Sequence, residues 1–250
     1  MPRPLANLVG RWCEESGVAP ELRPSVAQLE AGFWTGTQHC RIGTDLGRLL
    51  SWERRFGFAL PDSLKTWLRL SDGFYGEGGP LIHPLAAIGP MIPFNRMPGV
   101  AIQPESWFEL GNPNYETICI DLAYRWPGSG GESPLFTSGD DLRGTLPRII
   151  ATGFTSWFLR LLHRGGAEYW FDPGFESPGD PWREHRRQVP TPPLPDRLRR
   201  LVPEVLPLMR QGLDDRAIAG GLGLSRGDVE ALLRHAQHAP ADYAGAESNG

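Results

Sequence analysis

Hydrophobic side chains recur at three- and four-residue intervals in two neighbouring stretches, which predicts a pair of short amphipathic helices. In the first stretch the apolar positions are Leu46, Leu49, Leu50, Trp52 and Phe56. In the second they are Leu64, Trp67 and Leu68. Gly57 is predicted to end the first helix in a left-handed conformation. Pro61 is predicted to occupy the first position of the second helix, and Asp72-Gly73 to terminate it.

Further along the chain, the pattern changes to short apolar runs separated by turn residues. Segments 106–110, 117–122 and 134–137 are predicted as strands. The apolar run 81–94 is interrupted by prolines, which limits it to short or edge strands. A single apolar stripe then predicts one more helix, formed by Phe154, Trp157, Phe158, Leu161 and Leu162. Helices, then strands, then a helix indicate an α+β fold.

The composition changes after residue 172. Segment 173–195 contains seven prolines in 23 residues, so we predict a stiff, partly extended linker. Beyond it, 196–238 is predicted to form a small all-α module. Gly223 should break this module between two helices, and Ser225 should cap the second of them. We predict that residues 1–44 form an N-terminal extension packed on the domain 45–172, and that 239–250 form a disordered tail.

Three segments of the predicted domain, taken in order, resemble the SUKH superfamily. The first is the helix pair, and its matching residues are Glu53, Phe56, Gly57, Leu60-Pro61, Leu64, Trp67 and Asp72-Gly73. The second is an aromatic strand ending in glycine, followed by the I-x-I-D-L strand 118–122. The third is 149–162, which is similar to the helix that ends the family's core. The resemblance implies a SUKH-like twisted antiparallel sheet packed with helices.

The SUKH superfamily includes cell-wall assembly regulators and many bacterial toxin-immunity proteins. The resemblance therefore implies a non-catalytic protein-binding domain, with toxin neutralisation as its best-known bacterial role. The partner would be a cognate toxin or another protein. We expect the glycine-rich loop after Asp72-Gly73 to contact it, through Phe74, Tyr75 and Glu77.

The C-terminal module resembles a LuxR-type helix-turn-helix, in which Q-G-L precedes an I-A helix and a serine-capped recognition helix. This resemblance implies an alternative function, a DNA-binding transcriptional regulator whose SUKH-like domain senses a partner. Ser225, Arg226 and Arg234 would then contact DNA. Asp228 and Glu230 lie on the same predicted helix and would repel phosphates, so a helical bundle for dimerisation or protein contact stays open.

The charge of the chain and the motifs it contains argue against several classes of function. The net charge of −4 gives no bulk basic excess for binding nucleic acid. The three cysteines, Cys13, Cys40 and Cys119, are too widely spaced for a metal motif or a disulfide framework. The sequence also lacks recognisable hydrolase, zinc-protease and nucleotide-binding motifs. We therefore expect no enzymatic activity, no cofactor and no metal. Since no run reaches about 18 apolar residues, we expect no membrane segment and a cytoplasmic location.

Overall fold

The computed structural model describes residues 5–32, 40–76, 78–91, 104–113, 116–139, 147–188, 194–211, 213 and 215–238. Glu77 and the predicted tail 239–250 lie outside this part. Within it, residues up to 91 and from 105 to 185 form one compact unit, and residues from 186 onwards belong to a second. The two units are described separately.

The first unit combines helices with an antiparallel sheet, so the predicted α+β class is confirmed. Its helices are α1 (Leu5–Glu15), α2 (Val26–Gly32), α3 (Leu46–Phe56), α4 (Asp62–Leu70), α5 (Phe154–His163) and α6 (Pro181–Gln188, through His185). Its strands are β1 (Phe74–Gly76), β2 (Gly79–Ile82), β3 (Gly89–Pro90), β4 (Trp107–Gly111), β5 (Ile118–Asp121), β6 (Leu135–Thr137) and β7 (Arg148–Ala151). A five-stranded sheet has the order β3-β4-β5-β6-β7, while β1 and β2 form a hairpin.

The hairpin lies beside the C-terminal end of β4. The Leu110 carbonyl accepts a hydrogen bond from the His83 backbone N–H at 2.7 Å. The Pro80 carbonyl accepts one from the Asn112 N–H, also at 2.7 Å. Gly111 permits this close approach, because a Cβ there would lie 2.1 Å from the Leu81 carbonyl oxygen. The glycine that ends β4 therefore sets the position of the hairpin.

Side chains alternate between the two faces of the sheet along each strand. Both faces are buried, each by its own cluster of apolar side chains. On the helical side, Phe108 and Ile120 join a core of large aromatic residues from α1, α4 and α5. On the opposite side lies a second cluster formed by Met91, Trp107, Cys119, Phe136 and Ile149, with Trp126 and Trp182 packed on it. The second cluster is covered in part by α6, which the sequence did not predict.

Helix α6 corrects the predicted linker, whose first half belongs to the folded unit. The ring centroids of Trp182 and Trp107 are only 4.4 Å apart. His185 is 5% exposed. Its Nδ1 lies 2.5 Å from the Asp121 carboxylate. The predicted N-terminal extension is likewise part of the core, since Trp12 of α1 is fully buried and donates to the Ser63 carbonyl at 2.9 Å.

Two caps on α3 follow from its flanking residues. Asp45 accepts a hydrogen bond from the Arg48 N–H at 2.9 Å. Gly57 ends the helix with φ of 75°, which confirms the predicted left-handed residue. Pro61 differs slightly from the prediction, since it is the N-cap of α4 and the helix begins at Asp62.

Glu132 joins the N-termini of two helices. One carboxylate oxygen accepts from the Thr155 N–H of α5 at 2.9 Å. The other accepts from the hydroxyls of Thr155 and of Ser63 in α4. A carboxylate is favoured at such positions because helix N-termini carry a partial positive charge. Glu132 therefore holds α4 and α5 together at the same end.

The second unit is helical and has a separate apolar core. Its helices are α7 (Asp196–Arg199), α8 (Val202–Arg210), α9 (Asp215–Leu222) and α10 (Arg226–His238). The core is formed by Leu194, Leu198, Val202, Val205, Ile218, Val229, Leu232 and Leu233. Gly223 separates α9 from α10 with φ of 61°. The predicted order of helix, glycine turn and helix is present.

Candidate protein-binding surface

The hairpin that was predicted to contact a partner is only partly exposed. Phe74 is fully buried, with its ring centroid 5.6 Å from that of Trp67 and 5.7 Å from that of Phe158. A side chain with no exposed surface cannot touch a partner in this conformation, so the prediction for Phe74 was wrong. The register pairs Phe74 with Ile82, and the first residue of the hairpin thereby belongs to the core.

Tyr75 is half-buried and has the guanidinium of Arg41 over its ring, 4.7 Å from the centroid. This distance is typical of a cation–π interaction. The contact connects the hairpin to the segment that leads into α3. Of the three predicted contact residues, Tyr75 is therefore the one that the structure places at the described surface.

The segment 40–45 is fixed by hydrogen bonds to the end of α4. The Arg41 N–H donates to the Ser71 hydroxyl at 3.0 Å, and the Thr44 N–H donates to the Leu68 carbonyl at 2.8 Å. Gly43 allows the chain to pass close to α4, since a Cβ would lie 1.9 Å from the Arg69 carbonyl oxygen. Ile42 lies within this fixed segment and is nevertheless 94% exposed.

The outer face of α3, which begins four residues after Ile42, also carries exposed apolar residues. Leu46 is 56% exposed and Leu50 is 47% exposed, while Leu49 and Trp52 on the other face are buried. The sequence placed Leu46 and Leu50 among the regularly spaced apolar positions of this helix, and the structure leaves both exposed. We define the α3 surface as Arg41, Ile42, Leu46, Leu50 and Tyr75.

The charges on and around the α3 surface are mainly positive. Residues 41–56 contain four arginines and two carboxylates, although the whole chain has a net charge of −4. The two carboxylates are already engaged. Asp45 caps α3, and Glu53 accepts from the Leu60 N–H at 3.0 Å and lies 3.5 Å from the Lys65 Nζ. Arg48, Arg54 and Arg55 are exposed.

The predicted DNA-contacting residues lie at the start and along the length of α10. Ser225 caps this helix, because its hydroxyl accepts from the Asp228 N–H at 3.1 Å. The same hydroxyl donates to the Asp228 carboxylate at 2.8 Å, and Arg197 pairs with that carboxylate at 2.7 Å. These bonds, the one from Ser225 first, lower the pKa of Asp228. The side chains of Arg226, Glu230 and Arg234 lie outside the described part.

The sequence did not reveal that His185 meets Asp121. Asp121 is 2% exposed and accepts hydrogen bonds from the Ser106 hydroxyl at 2.8 Å and from the Ala123 N–H at 3.1 Å. The latter bond is made to the backbone just beyond the end of β5. Serine, aspartate and histidine are the components of a catalytic triad, but there the hydroxyl bonds the imidazole, whereas Ser106 bonds the carboxylate. This arrangement holds α6 on the sheet.

The surroundings of the three cysteines disfavour the thiolate, which is their reactive form. Burial raises the pKa of Cys40 to about 11, with a smaller opposing effect from its hydrogen bond with Ser71. Burial also raises the pKa of Cys13 and of Cys119. Because the thiolate is the nucleophile and the metal ligand, these environments disfavour both chemistries at neutral pH. Within the described ranges, His, Cys, Asp and Glu side chains form no group of three suited to a metal ion.

Comparison with known families and curated proteins adds no functional assignment to this geometry. No model of a known protein family matches the chain, and no curated protein is significantly similar to it. Among the described residues, no helix combines the length and the apolar character needed to cross a bilayer.

Proposed function

We propose that the protein acts as a non-catalytic binding protein and that the α3 surface contacts its protein partner. The observation that carries the proposal is Ile42, an isoleucine that is 94% exposed on a segment fixed by hydrogen bonds. Leu46 and Leu50 extend the apolar area along α3. Exposed apolar groups that cluster in this way mark interaction sites on soluble proteins.

The residue types of the α3 surface support a protein partner. Tyrosine and arginine are enriched at the energetic centres of protein interfaces, where aliphatic groups fill the pockets between them. Arg41 and Tyr75 already form a packed pair and would lose little conformational freedom on binding. A fixed backbone with exposed apolar anchors is therefore suited to binding a preformed surface.

The charge around the α3 surface favours an acidic partner. Arg48, Arg54 and Arg55 are exposed around the apolar residues, whereas Asp45 and Glu53 are engaged within the protein. Rim charges of opposite sign accelerate association and exclude partners of the same sign. We infer that the partner presents carboxylates around an apolar depression that accepts Ile42.

The resemblance to SUKH domains supports a more specific proposal, that the partner is a toxin which this protein neutralises. The order of helix pair, antiparallel strands and closing aromatic helix is what the family resemblance implied. Glu53, one of the residues carrying that resemblance, ties the turn at Leu60 to α3, and Gly57 ends the helix as expected. Fold and function are separable, so the toxin proposal requires its own experiment.

Replacing Ile42 with aspartate should abolish most partner binding. A charge in place of a central apolar anchor should weaken affinity at least about thirtyfold, equivalent to about 2 kcal/mol. The partner would first be captured with the wild-type chain, then purified and titrated against both proteins by calorimetry. Val26→Asp is the matched control, because Val26 is also an exposed aliphatic residue, at 57%.

Equal weakening by both substitutions, or by neither, would exclude the α3 surface as the contact. The toxin proposal is tested separately with the purified partner's gene. Expression of that gene alone should arrest growth, and co-expression of the wild-type chain should restore it. Co-expression of the Ile42→Asp variant should restore growth poorly. A partner that is harmless when expressed alone would refute toxin neutralisation and leave protein binding intact.

DNA binding by the second unit remains the alternative prediction. The observation that favours it is the helix order, with Gly223 between α9 and α10 and Ser225 as the cap. If the alternative holds, the full chain should shift duplex DNA at low salt, and replacing both Arg226 and Arg234 with alanine should remove the shift. Asp228 weakens the case, because an ionised carboxylate in the first turn of α10 opposes phosphate.

A further inference from the structure

A concave site lies at the C-terminal end of α5 and is lined mainly by basic and aromatic side chains. Its volume is about 540 Å3, and its walls include Arg160, His163, Arg164, Tyr169, Asp172 and Phe175. A volume in this range accommodates a small metabolite. None of these residues belongs to the α3 surface, so the site requires a separate explanation.

Three basic side chains, Arg160, His163 and Arg164, lie close together at the end of α5, because they are spaced i, i+3 and i+4, with Arg164 as the C-cap. Each is held by a different neighbour. The guanidinium of Arg160 lies 5.5 Å from the ring centroid of Tyr169, and the His163 Nε2 donates to the Leu22 carbonyl at 3.0 Å. Arg164 pairs with Asp172. The group is therefore oriented before any ligand arrives.

Tyr169 gives the Arg160 guanidinium a fixed ring to pack against. Its hydroxyl donates to the Ile150 carbonyl of β7 at 2.8 Å, and the side chain is 5% exposed. The ring on which Arg160 rests is thus part of the core. Unlike Arg164, Arg160 forms no ion pair with a described carboxylate. Its guanidinium keeps hydrogen-bond donors in the fork geometry that matches the two oxygens of a carboxylate or phosphate.

The end of a helix normally repels anions, because its last carbonyl groups carry partial negative charge. At α5 this effect is reduced. The carbonyls of Arg160, Leu161 and Leu162 accept hydrogen bonds from the N–H groups of Arg164, Gly165 and Gly166. Each of these carbonyls already accepts a hydrogen bond, and the two arginines outnumber the single carboxylate of Asp172.

We propose that this site, the α5 pocket, binds a small molecule through a phosphate or carboxylate group. The oxyanion binds Arg160, with Arg164 and His163 beside it. The apolar part of the ligand lies against Phe175, whose ring also packs on Tyr169 at 5.7 Å between centroids. The adjacent rings of Tyr169 and Phe175, with the Arg160 guanidinium beside them, suit a small anion that also has an apolar or planar part.

Isothermal titration of the full chain with inorganic phosphate and, separately, with succinate tests the proposal at low ionic strength. We expect one-site binding of at least one probe, with a Kd of the order of 1 mM. Arg160→Ala should weaken that binding about tenfold or more, as expected for loss of a charge-assisted hydrogen bond. Arg11→Ala is the matched control, because Arg11 is an exposed helical arginine that pairs with Glu15 at 3.1 Å.

The two probes distinguish the sources of the oxyanion. Tighter binding of phosphate assigns the site to phosphorylated molecules, and tighter binding of succinate assigns it to carboxylates. Absence of binding by both probes at about 10 mM, which excludes even weak affinity, would overturn the proposal. It would also be overturned if Arg160→Ala bound the probes as the wild type does, or if Arg11→Ala weakened binding to the same extent. Neither result bears on the α3 surface.

Discussion

Replacing Phe158 with alanine should lower the free energy of unfolding of the first unit by about 3–5 kcal/mol. Phe158 is fully buried and lies at the centre of the aromatic core. Its ring centroid is 4.6 Å from that of Trp67 on α4 and 4.8 Å from that of Trp12 on α1. Truncation would remove contacts with both of these helices at once, and these large neighbours cannot easily close the cavity.

Denaturant unfolding followed by tryptophan fluorescence measures this effect for the first unit alone, since all nine tryptophans precede residue 183. Phe171→Ala is the matched control, because Phe171 is 37% exposed and its truncation should cost less than about 1 kcal/mol. If Phe158→Ala leaves no folded protein, Phe158→Leu should fold with a smaller loss of about 1–2 kcal/mol. Equal losses for Phe158→Ala and Phe171→Ala would contradict the packing around Phe158.

The elements that the sequence predicted well are those whose pattern is local. The stripe of α5 and the helices α3 and α4 appear at the predicted positions, and so do strands β4, β5 and β6. In each case the apolar spacing, or a residue such as Gly57, carries the information within a few positions. Local periodicity determines the type of element, and the structure agrees with it there.

The predictions that failed depended on contacts between distant parts of the chain. Helix α6 is rich in charge and flanked by prolines, so its composition is typical of a linker. Its burial arises because Trp182 and His185, at i and i+3, meet Trp107 and Asp121 on the sheet. The spacing was visible in the sequence, but nothing local indicated which surface those two residues would contact.

The α3 surface was missed for a related reason. Five apolar residues in eleven positions suggested one buried face, and the helix does bury Leu49 and Trp52. The width of the buried stripe depends on how closely neighbouring elements cover it, and Leu46 and Leu50 lie outside the covered part. Phe74 shows the opposite case, since its glycine-rich surroundings suggested a loop while the hairpin register places it in the core.

Replacing Asp121 with alanine should destabilise the first unit by about 3 kcal/mol and detach α6 from the sheet. The carboxylate is 2% exposed and accepts hydrogen bonds from Ser106, Ala123 and His185. Its removal leaves these donors buried without their acceptor, and each unsatisfied group costs free energy of its own. His185 attaches α6 to the sheet through Asp121, so loss of Asp121 should weaken that attachment.

Two measurements separate this role from general destabilisation. Hydrogen exchange of the backbone amides in 182–188 should accelerate in Asp121→Ala more than exchange in α5, because α6 opens before the rest of the unit. A double-mutant cycle with His185→Ala should give a coupling energy above about 1 kcal/mol. Asp62→Ala is the control, since that carboxylate is 96% exposed and its ion pair with Lys65 should contribute less than about 1 kcal/mol.

A coupling energy near zero would mean that Asp121 serves only Ser106 and Ala123. The ring contact between Trp182 and Trp107 would then be sufficient to hold α6. Coupling at the expected level would instead make the pair of Asp121 and His185 a specific attachment of α6 to the sheet. With either result, the predicted linker includes a segment that completes the first unit, because α6 covers a sheet face formed by Trp107 and Phe136 that would otherwise lie open to water.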